Sequence, residues 1–350
     1  MRRLWVEWAS RSGPLACFAG GAAFWFAGLP APWLTGAAVV GAALALRGLP
    51  PAVPWQLQEM AFLVLGVSLG ALVDPGSLAA AERWPLSLLA LILTVPLIVG
   101  SAQQTLTRFY GWERREAFLA SMPGALSYTL AIAVEEGLDV RPIAIAQSVR
   151  LMAIVLLVPL FFGFAAPQQP SLALFPTPVR PLEWLALLGA GLAAGLLLQR
   201  IKTPVALMIG GLIVSCIAHG LGLASAQLPS WLLIPSIVVI GANVGARFGG
   251  GHPKALAAML APALASTAVT FLAAALAAVV TAQTLQLPML QVLLAFAPGG
   301  LDTIGVLVFT LKLDAAYVTI HQLVRFLGIA ATLPLMFRLW TTRKAKLPNS

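Results

Sequence analysis

Asp302 is the only carboxylate set deep in an apolar stretch of this 350-residue chain, and Arg150 and Arg325 are the only cations placed as far from a loop. An arginine at the centre of a bilayer costs roughly 2.5–3.5 kcal/mol on insertion scales, so each needs a partner or a wet pocket. Gln147 precedes Arg150 by three residues and Gln322 precedes Arg325 by three, which puts each pair on one helical face. His321, four residues before Arg325, joins that face in the second half only. Two chemistries suit this set. Asp302 can pair with Arg150 or Arg325 and lock the bundle. It can instead take up a proton while the arginines, helped by the glutamines, meet an anion. His321 is either a pH-sensitive member of the set or a packed hydrogen-bonding residue.

Each polar face lies beside an interruption. Met122-Pro123-Gly124 and Ala297-Pro298-Gly299-Gly300 fall near the centres of apolar segments. Proline removes a backbone donor and clashes with the preceding turn, and glycine adds conformational freedom. Such a break survives at membrane depth only where protein or a wet cavity covers the freed backbone groups. Matched Gly/Pro interruptions in two halves point to a transporter's central site. The half-helix after each break would also present a positive N-terminus to an anion. Pro123, Gly124, Pro298 and Gly299 are therefore candidates alongside the charged residues.

Gly66-Val-Ser-Leu-Gly70 and Gly241-Ala-Asn-Val-Gly245 are small-xxx-small patterns that let helices approach closely, within the fold or between the subunits of a homodimer. Asn243 and Ser68, inside them, are alternatively pocket residues. Asp139 and Asp314 stand at matched positions before apolar segments, where helix N-capping accounts for them. Glu135 and Glu136 read as solvated loop charges.

The elements that hold these residues follow from composition. Hydrophobic residues make up 60% of the chain and charged residues 9%, too few charges for a soluble surface or for disorder. A spanning helix needs about 20 mainly apolar residues. Apolar segments run roughly 14–28, 33–47, 57–73, 85–106, 116–135 and 142–165, then 181–199, 203–219, 231–248, 255–283, 288–311 and 316–340. The fold class is thus an all-α polytopic membrane protein. Residues 1–165 form an N-terminal repeat, 166–180 a Pro- and Gln-rich connector, and 181–342 a C-terminal repeat.

The repeats are legible by shifting 175 residues. Gly66 then falls on Gly241, Gly70 on Gly245, Pro123-Gly124 on Pro298-Gly299 and Leu126 on Leu301. Asp139 falls on Asp314, Gln147 on Gln322, Arg150 on Arg325 and Pro159 on Pro334. Special residues sharing one register over so long a stretch indicate duplication.

Loop charge orients the halves. Twelve full spans, six in each of two parallel repeats, would turn Arg83, Arg141, Arg200, Lys202, Arg247, Lys254 and Lys312 outward. If the fifth segment of each half instead enters and returns on its own side, the repeats are inverted. Of the 21 cationic residues, only Arg83, Arg180 and Lys312 then face outward; Arg150 and Arg325 lie within the membrane, and the other sixteen face inward. The expectation is two inverted repeats, each of five spans plus one broken re-entrant segment, with both termini cytoplasmic.

Several functions are excluded. Cys17 and Cys216 lie apart in apolar stretches and imply neither disulfide nor metal. His219, His252 and His321 are scattered, and there is no HExxH or Cys/His cluster, so no metal and no cofactor is expected. No nucleotide loop, catalytic set or nucleic-acid-binding helix is present. The chain reads as a non-enzyme whose partners are the lipid bilayer and a small solute, coupled to protons or sodium.

Five motifs carry a family resemblance: Pro30-Ala-Pro-Trp-Leu-Thr-Gly36, Met122-Pro-Gly-Ala-Leu-Ser127, Gln147-Ser-Val-Arg150, Ala297-Pro-Gly-Gly-Leu301 and His321-Gln-Leu-Val-Arg325. Together with the doubled unit they resemble the membrane AbrB duplication family over nearly the whole chain. The resemblance implies a multi-pass protein of the bacterial inner (plasma) membrane, linked to regulation of gene expression. Members are also labelled ammonia monooxygenase, a label that three scattered histidines do not support. The soluble DNA-binding family that shares the name is not resembled. In this family an acidic residue commonly follows Pro-Gly-Gly-Leu-Ser; here Tyr128 and Thr303 stand in those places, and Asp302 sits one position earlier. The first half therefore offers no acid for coupling. The function expected is a secondary transporter or exporter of a small anionic solute that touches gene expression indirectly. The alternative is a non-transporting membrane regulator or sensor.

Overall fold

Inside a bilayer an apolar stretch satisfies its backbone as a helix or in a closed barrel. A computed structural model describes residues 2–72, 82, 84–124, 126–162, 180–201, 203, 205–249 and 253–342. Among these it has fourteen helices and no strand. The first seven are α1 (Arg2–Phe26), α2 (Pro32–Leu46), α3 (Trp55–Gly70), α4 (Trp84–Tyr110), α5 (Arg114–Ser121), α6 (Leu126–Glu135) and α7 (Val140–Phe162). The next seven are α8 (Pro181–Arg200), α9 (Ala206–Gly220), α10 (Ser230–Ala246), α11 (Pro253–Leu285), α12 (Met289–Phe296), α13 (Leu301–Thr310) and α14 (Ala315–Thr342). The bounds of α5 and α6 recur in α12 and α13 at a shift of 175 without offset. Helices α4, α7, α8, residues Leu256–Leu285 of α11 and Ala315–Leu333 of α14 are long and apolar enough to cross a membrane. The chain is a polytopic membrane protein.

The first helix starts at Arg2, a dozen residues before the apolar stretch that marks it in the sequence, and runs on through Pro14. Connector residues 166–179 and Arg83 lie outside the described residues.

Lipid offers no hydrophobic drive between helices, so close backbone packing at small residues has to supply it. Helices α2, α3, α9 and α10 do this. A Cβ on Gly66 of α3 would sit 2.0 Å from Met208 O of α9, and one on Gly70 would meet Ser215, Cys216 and Leu212. On the other side, Gly241 of α10 abuts Leu34 and Ala38 of α2, and Gly245 abuts Ala38, Gly41 and Ala42. Contacts advance together along both chains, so α3 runs in the same direction as α9, and α2 as α10. Helices α1 and α8 flank this block, packing on α2 and α9.

The other eight helices, α4–α7 and α11–α14, pack mainly on one another, with α4 against α11 at their centre. The two groups meet along a narrow seam where α2, α3 and α10 face α7, α13 and α14. The eight-helix group contains both broken segments. Their short halves, 8 and 10 residues long, would span only about 12 and 15 Å at 1.5 Å per residue. Arg115 at the start of α5 reaches Glu136, just past the end of α6, at 3.4 Å. The chain therefore returns to the level at which it entered, and α5 with α6 forms a hairpin.

Candidate functional site

The hairpins need help at their tips, because each break strands the last carbonyls of a short helix in an apolar interior. In the first half, Arg150 of α7 donates from Nη2 to Met122 O at 2.6 Å and, at 3.4 Å, from Nη1 to Ala120 O and Ser121 O. Gln147 adds Leu119 O at 3.1 Å and Thr129 Oγ1 at 2.9 Å, joining the two arms. The second half repeats the device. Arg325 donates to Ala297 O at 2.6 Å, to Gly299 O at 3.1 Å and to the side-chain oxygen of Gln322. Gln322 itself donates to Leu294 O at 2.7 Å. All four side chains are buried. A guanidinium at a helix C-terminus also meets the negative end of the helix dipole.

This use of the arginines corrects the expected ion pair. Among the described residues Asp302 forms no ion pair with Arg150 or Arg325. Its carboxylate leans back over its own first turn, accepting from Thr303 Oγ1 at 3.4 Å and crowding Gly300. The physical reason lies in the two half-helices. The cations are held by the C-terminal ends of α5 and α12, while Asp302 occupies the first turn of α13, whose positive end suits it.

The two tips touch. Gly124 adopts φ +80°, a left-handed conformation that favours glycine, and a Cβ there would lie 3.0 Å from Gly299 O of the other hairpin. Beside this contact lies a cavity of about 400 Å3. Of the residues expected from the sequence, Gly124, Gln147, Arg150, Pro298 and Asp302 line it. Pro123, Gly299, Gln322, Arg325, His321 and Asn243 do not line it. Pro123 and Gly299 shape the breaks; Gln322 and Arg325 hold the second tip. Asn243 is half-buried on α10, about half a turn round from Gly241 and Gly245, which pack on α2.

His321 belongs elsewhere. Its Nδ1 lies 2.8 Å from Tyr317 O, a carbonyl that can only accept, so that nitrogen carries the proton. In the neutral ring Nε2 then accepts from Ser87 Oγ of α4 at 2.7 Å, and Ser87 in turn accepts from the Tyr317 hydroxyl. The result is a fully buried polar bridge between α4 and α14. Asp139 and Asp314 cap α7 and α14 as expected, accepting from Arg141 N at 3.0 Å and Tyr317 N at 3.1 Å.

One charged lining residue escaped the sequence reading. Arg247, just past the end of α10, lines the cavity and is half-buried. It had looked like an ordinary loop cation. The signal available was its place in the duplication, where the first half has Leu72. Val205, at the start of α9, also lines the cavity, so the six-helix group contributes at least two of its walls. Among the described residues that line it, Arg150, Arg247 and Asp302 give a formal surplus of one positive charge.

Comparison with known proteins gives a consistent result. The sequence signature described as transition state regulatory protein AbrB matches residues 33–341. A Bacillus subtilis (strain 168) protein, YhjN, is 25% identical over 355 residues, covering 92% of this chain and 90% of the relative. An Escherichia coli (strain K12) protein named as a regulator, AbrB, is 27% identical over 333 residues, covering 91% and 92% respectively.

Proposed function

The chain belongs to the AbrB family, and on that premise we propose that it is a secondary transporter of a small anionic solute, built from two inverted repeats and affecting gene expression only indirectly. One observation carries the reading: the cavity at the meeting point of two broken hairpins, lined by Arg150, Arg247 and Asp302. Discontinuous helices meeting at a central site are the usual way for transporters to present dehydrated backbone and charge to a solute.

The direction of packing supports inversion. Pro50 and Pro51 stay at the C-terminal level of α2, against Gly249 and Gly13, and α3 starts only four residues later. Helix α3 must therefore turn back beside α2. Since α9 runs with α3, it opposes α2, its own counterpart in the duplication. With one hairpin in each half, the two hairpins then enter from opposite faces and meet tip to tip. The positive-inside tendency puts both termini in the cytoplasm of a bacterium, with the chain in its inner membrane. The cavity, between the start of α9 and the end of α10, opens toward that same face. Asp302 is the coupling residue, exchanging a proton or a sodium ion, and no catalytic step or nucleic-acid contact is assigned.

The test is flux in proteoliposomes under an imposed proton or sodium gradient, screened over small organic anions. Gradient-driven uptake that falls in Asp302→Asn is expected. Wild-type flux in a protein carrying both Asp302→Asn and Arg150→Gln would refute the residue assignment. A second reading, a non-transporting membrane regulator, draws on the regulatory names of the family and of the Escherichia coli relative. It predicts changed gene expression on deletion with no flux of any solute, and a protein partner trapped by cross-linking.

A further inference from the structure

We propose that Arg247 is the principal recognition residue of the cavity and that the solute it selects is a small monocarboxylate bearing a hydroxyl group. The proposal rests on the transport reading above and adds the substrate class and the residue that reads it.

The duplication separates structural from selective residues. Gln147 with Arg150 and Gln322 with Arg325 are shared by both halves, and in both halves they hold the carbonyls of a hairpin tip. Arg247 and Asp302 are not shared; the first half has Leu72 and Ser127 in their places. Both of the unshared charges line the cavity. A charge that the scaffold uses twice is explained by the scaffold, whereas these two appear once, and at the same opening.

Arg247 is also uncommitted. Among the described residues no carboxylate pairs with it and no acceptor takes its guanidinium, although it is half-buried at the edge of an apolar bundle. Arg150, 5% exposed, lines the same cavity, but its Nη1 and Nη2 already donate to the tip carbonyls, so its charge rather than a free donor is what it offers there. A guanidinium without a protein acceptor, such as that of Arg247, suits a planar carboxylate, which accepts paired N–H bonds in a fork that an ammonium cannot copy. Among the described lining residues, two arginines against one aspartate leave a single surplus positive charge, matching a monoanion. Asp302 would repel a second carboxylate and would accept a bond from a hydroxyl on the far end of the solute. Inorganic phosphate, with more than one negative charge near neutral pH, fits this balance less well.

The placement of Arg247 adds a consequence. It comes from the six-helix group, while Arg150 and Asp302 come from the eight-helix group, so a bound carboxylate bridges the seam.

The experiment uses the full-length protein purified in detergent, with L-lactate as probe and acetate, succinate, phosphate and chloride as comparators. Thermal melting is followed against probe concentration. L-lactate is expected to raise the wild-type melting temperature at lower concentration than the comparators. Arg247→Gln is expected to weaken this at least about tenfold, and Arg247→Lys, which keeps charge without the fork, to fall between. The unliganded melting temperature of each variant reports whether it has folded, and Arg247→Lys carries the test if Arg247→Gln has not. An Arg247→Gln protein stabilised like wild type overturns the role of Arg247. A wild-type protein stabilised by none of the monocarboxylates, or best by phosphate or succinate, overturns the substrate class. Lactate binding without lactate flux in proteoliposomes would leave this inference standing and refute transport alone.

Discussion

The contact between α3 and α9 allows a worked prediction. A Cβ placed on Gly66 would lie 2.0 Å from Met208 O, whereas a carbon and a carbonyl oxygen need upwards of 3 Å. The obstacle is backbone, so it cannot move out of the way as a side-chain end would, and the helices must part by about 1 Å. A gap of that size forfeits a quarter to a half of each dispersion contact it opens. Overpacking of this kind typically costs about 1–3 kcal/mol, and a backbone clash belongs at the upper end. Alanine returns up to about 1 kcal/mol through its better helix propensity. Gly66→Ala should thus destabilise by about 2 kcal/mol net. Its counterpart in the duplication, Gly241→Ala, would meet Leu34 O at 2.6 Å and should cost less. Gly189, within α8, has nothing within 4 Å of an added Cβ, so Gly189→Ala should be neutral or stabilising. Circular dichroism at 222 nm during heating of the three purified variants gives the ranking. Gly66→Ala melting together with wild type, or above Gly241→Ala, would refute the claim that backbone contact at these glycines holds the six-helix group together.

Arg325→Met removes the two short donations to Ala297 O and Gly299 O, worth about 3–6 kcal/mol together for charged donors, and relieves roughly 2.5–3.5 kcal/mol of arginine burial. The central values of the two ranges leave a net loss of about 1.5 kcal/mol, expected in the same melting assay, and an unchanged melting temperature would contradict the capping role. Ser87→Ala leaves His321 Nε2 and the Tyr317 hydroxyl without their shared partner and should cost about 1–3 kcal/mol, again read by melting. In a Cys17→Ser, Cys216→Ser background, cysteines placed at Arg141 and Lys254 should both react with a membrane-impermeant maleimide only after the cytoplasmic face is opened. Labelling of either from outside intact cells would rule out the inverted arrangement.

The features most legible in the sequence were those that break a pattern. Pro123-Gly124 and Pro298-Gly299 interrupt apolar runs, and helices α5 and α12 end within two residues of those prolines. The three-residue spacing of Gln147 with Arg150 and of Gln322 with Arg325 correctly gave one face per pair, since it depends only on helical pitch. Which group those faces would meet was not legible. An arginine in an apolar run suggests a carboxylate partner, yet here the stronger claim came from backbone carbonyls that exist only because the helix is broken. Arg247 was hidden for a different reason. At the end of a helix, a cation is normally explained by the loop that follows, and only the fold brings the start of α9 and the end of α10 to the cavity beside the hairpin tips. The early start of α1 was missed because Arg2, Arg3, Glu7 and Arg11 dilute its apolar signal, although backbone helicity does not require one.

The contact between Gly124 and Gly299 has an electrical consequence. If the two hairpins fold inward from opposite faces, as proposed, they replace a slab about 30 Å thick with an insulating layer no deeper than their tips. If water reaches both sides of that layer, most of the membrane voltage drops across it. A unit charge displaced by only a few ångströms past the tips would then do work approaching the full 2.3 kcal/mol per 100 mV, roughly a fiftyfold bias on its equilibrium. On the transport reading proposed above, solute and coupling ion held between Arg247 and Asp302 would sit beside this layer, and small rearrangements there would register as measurable current.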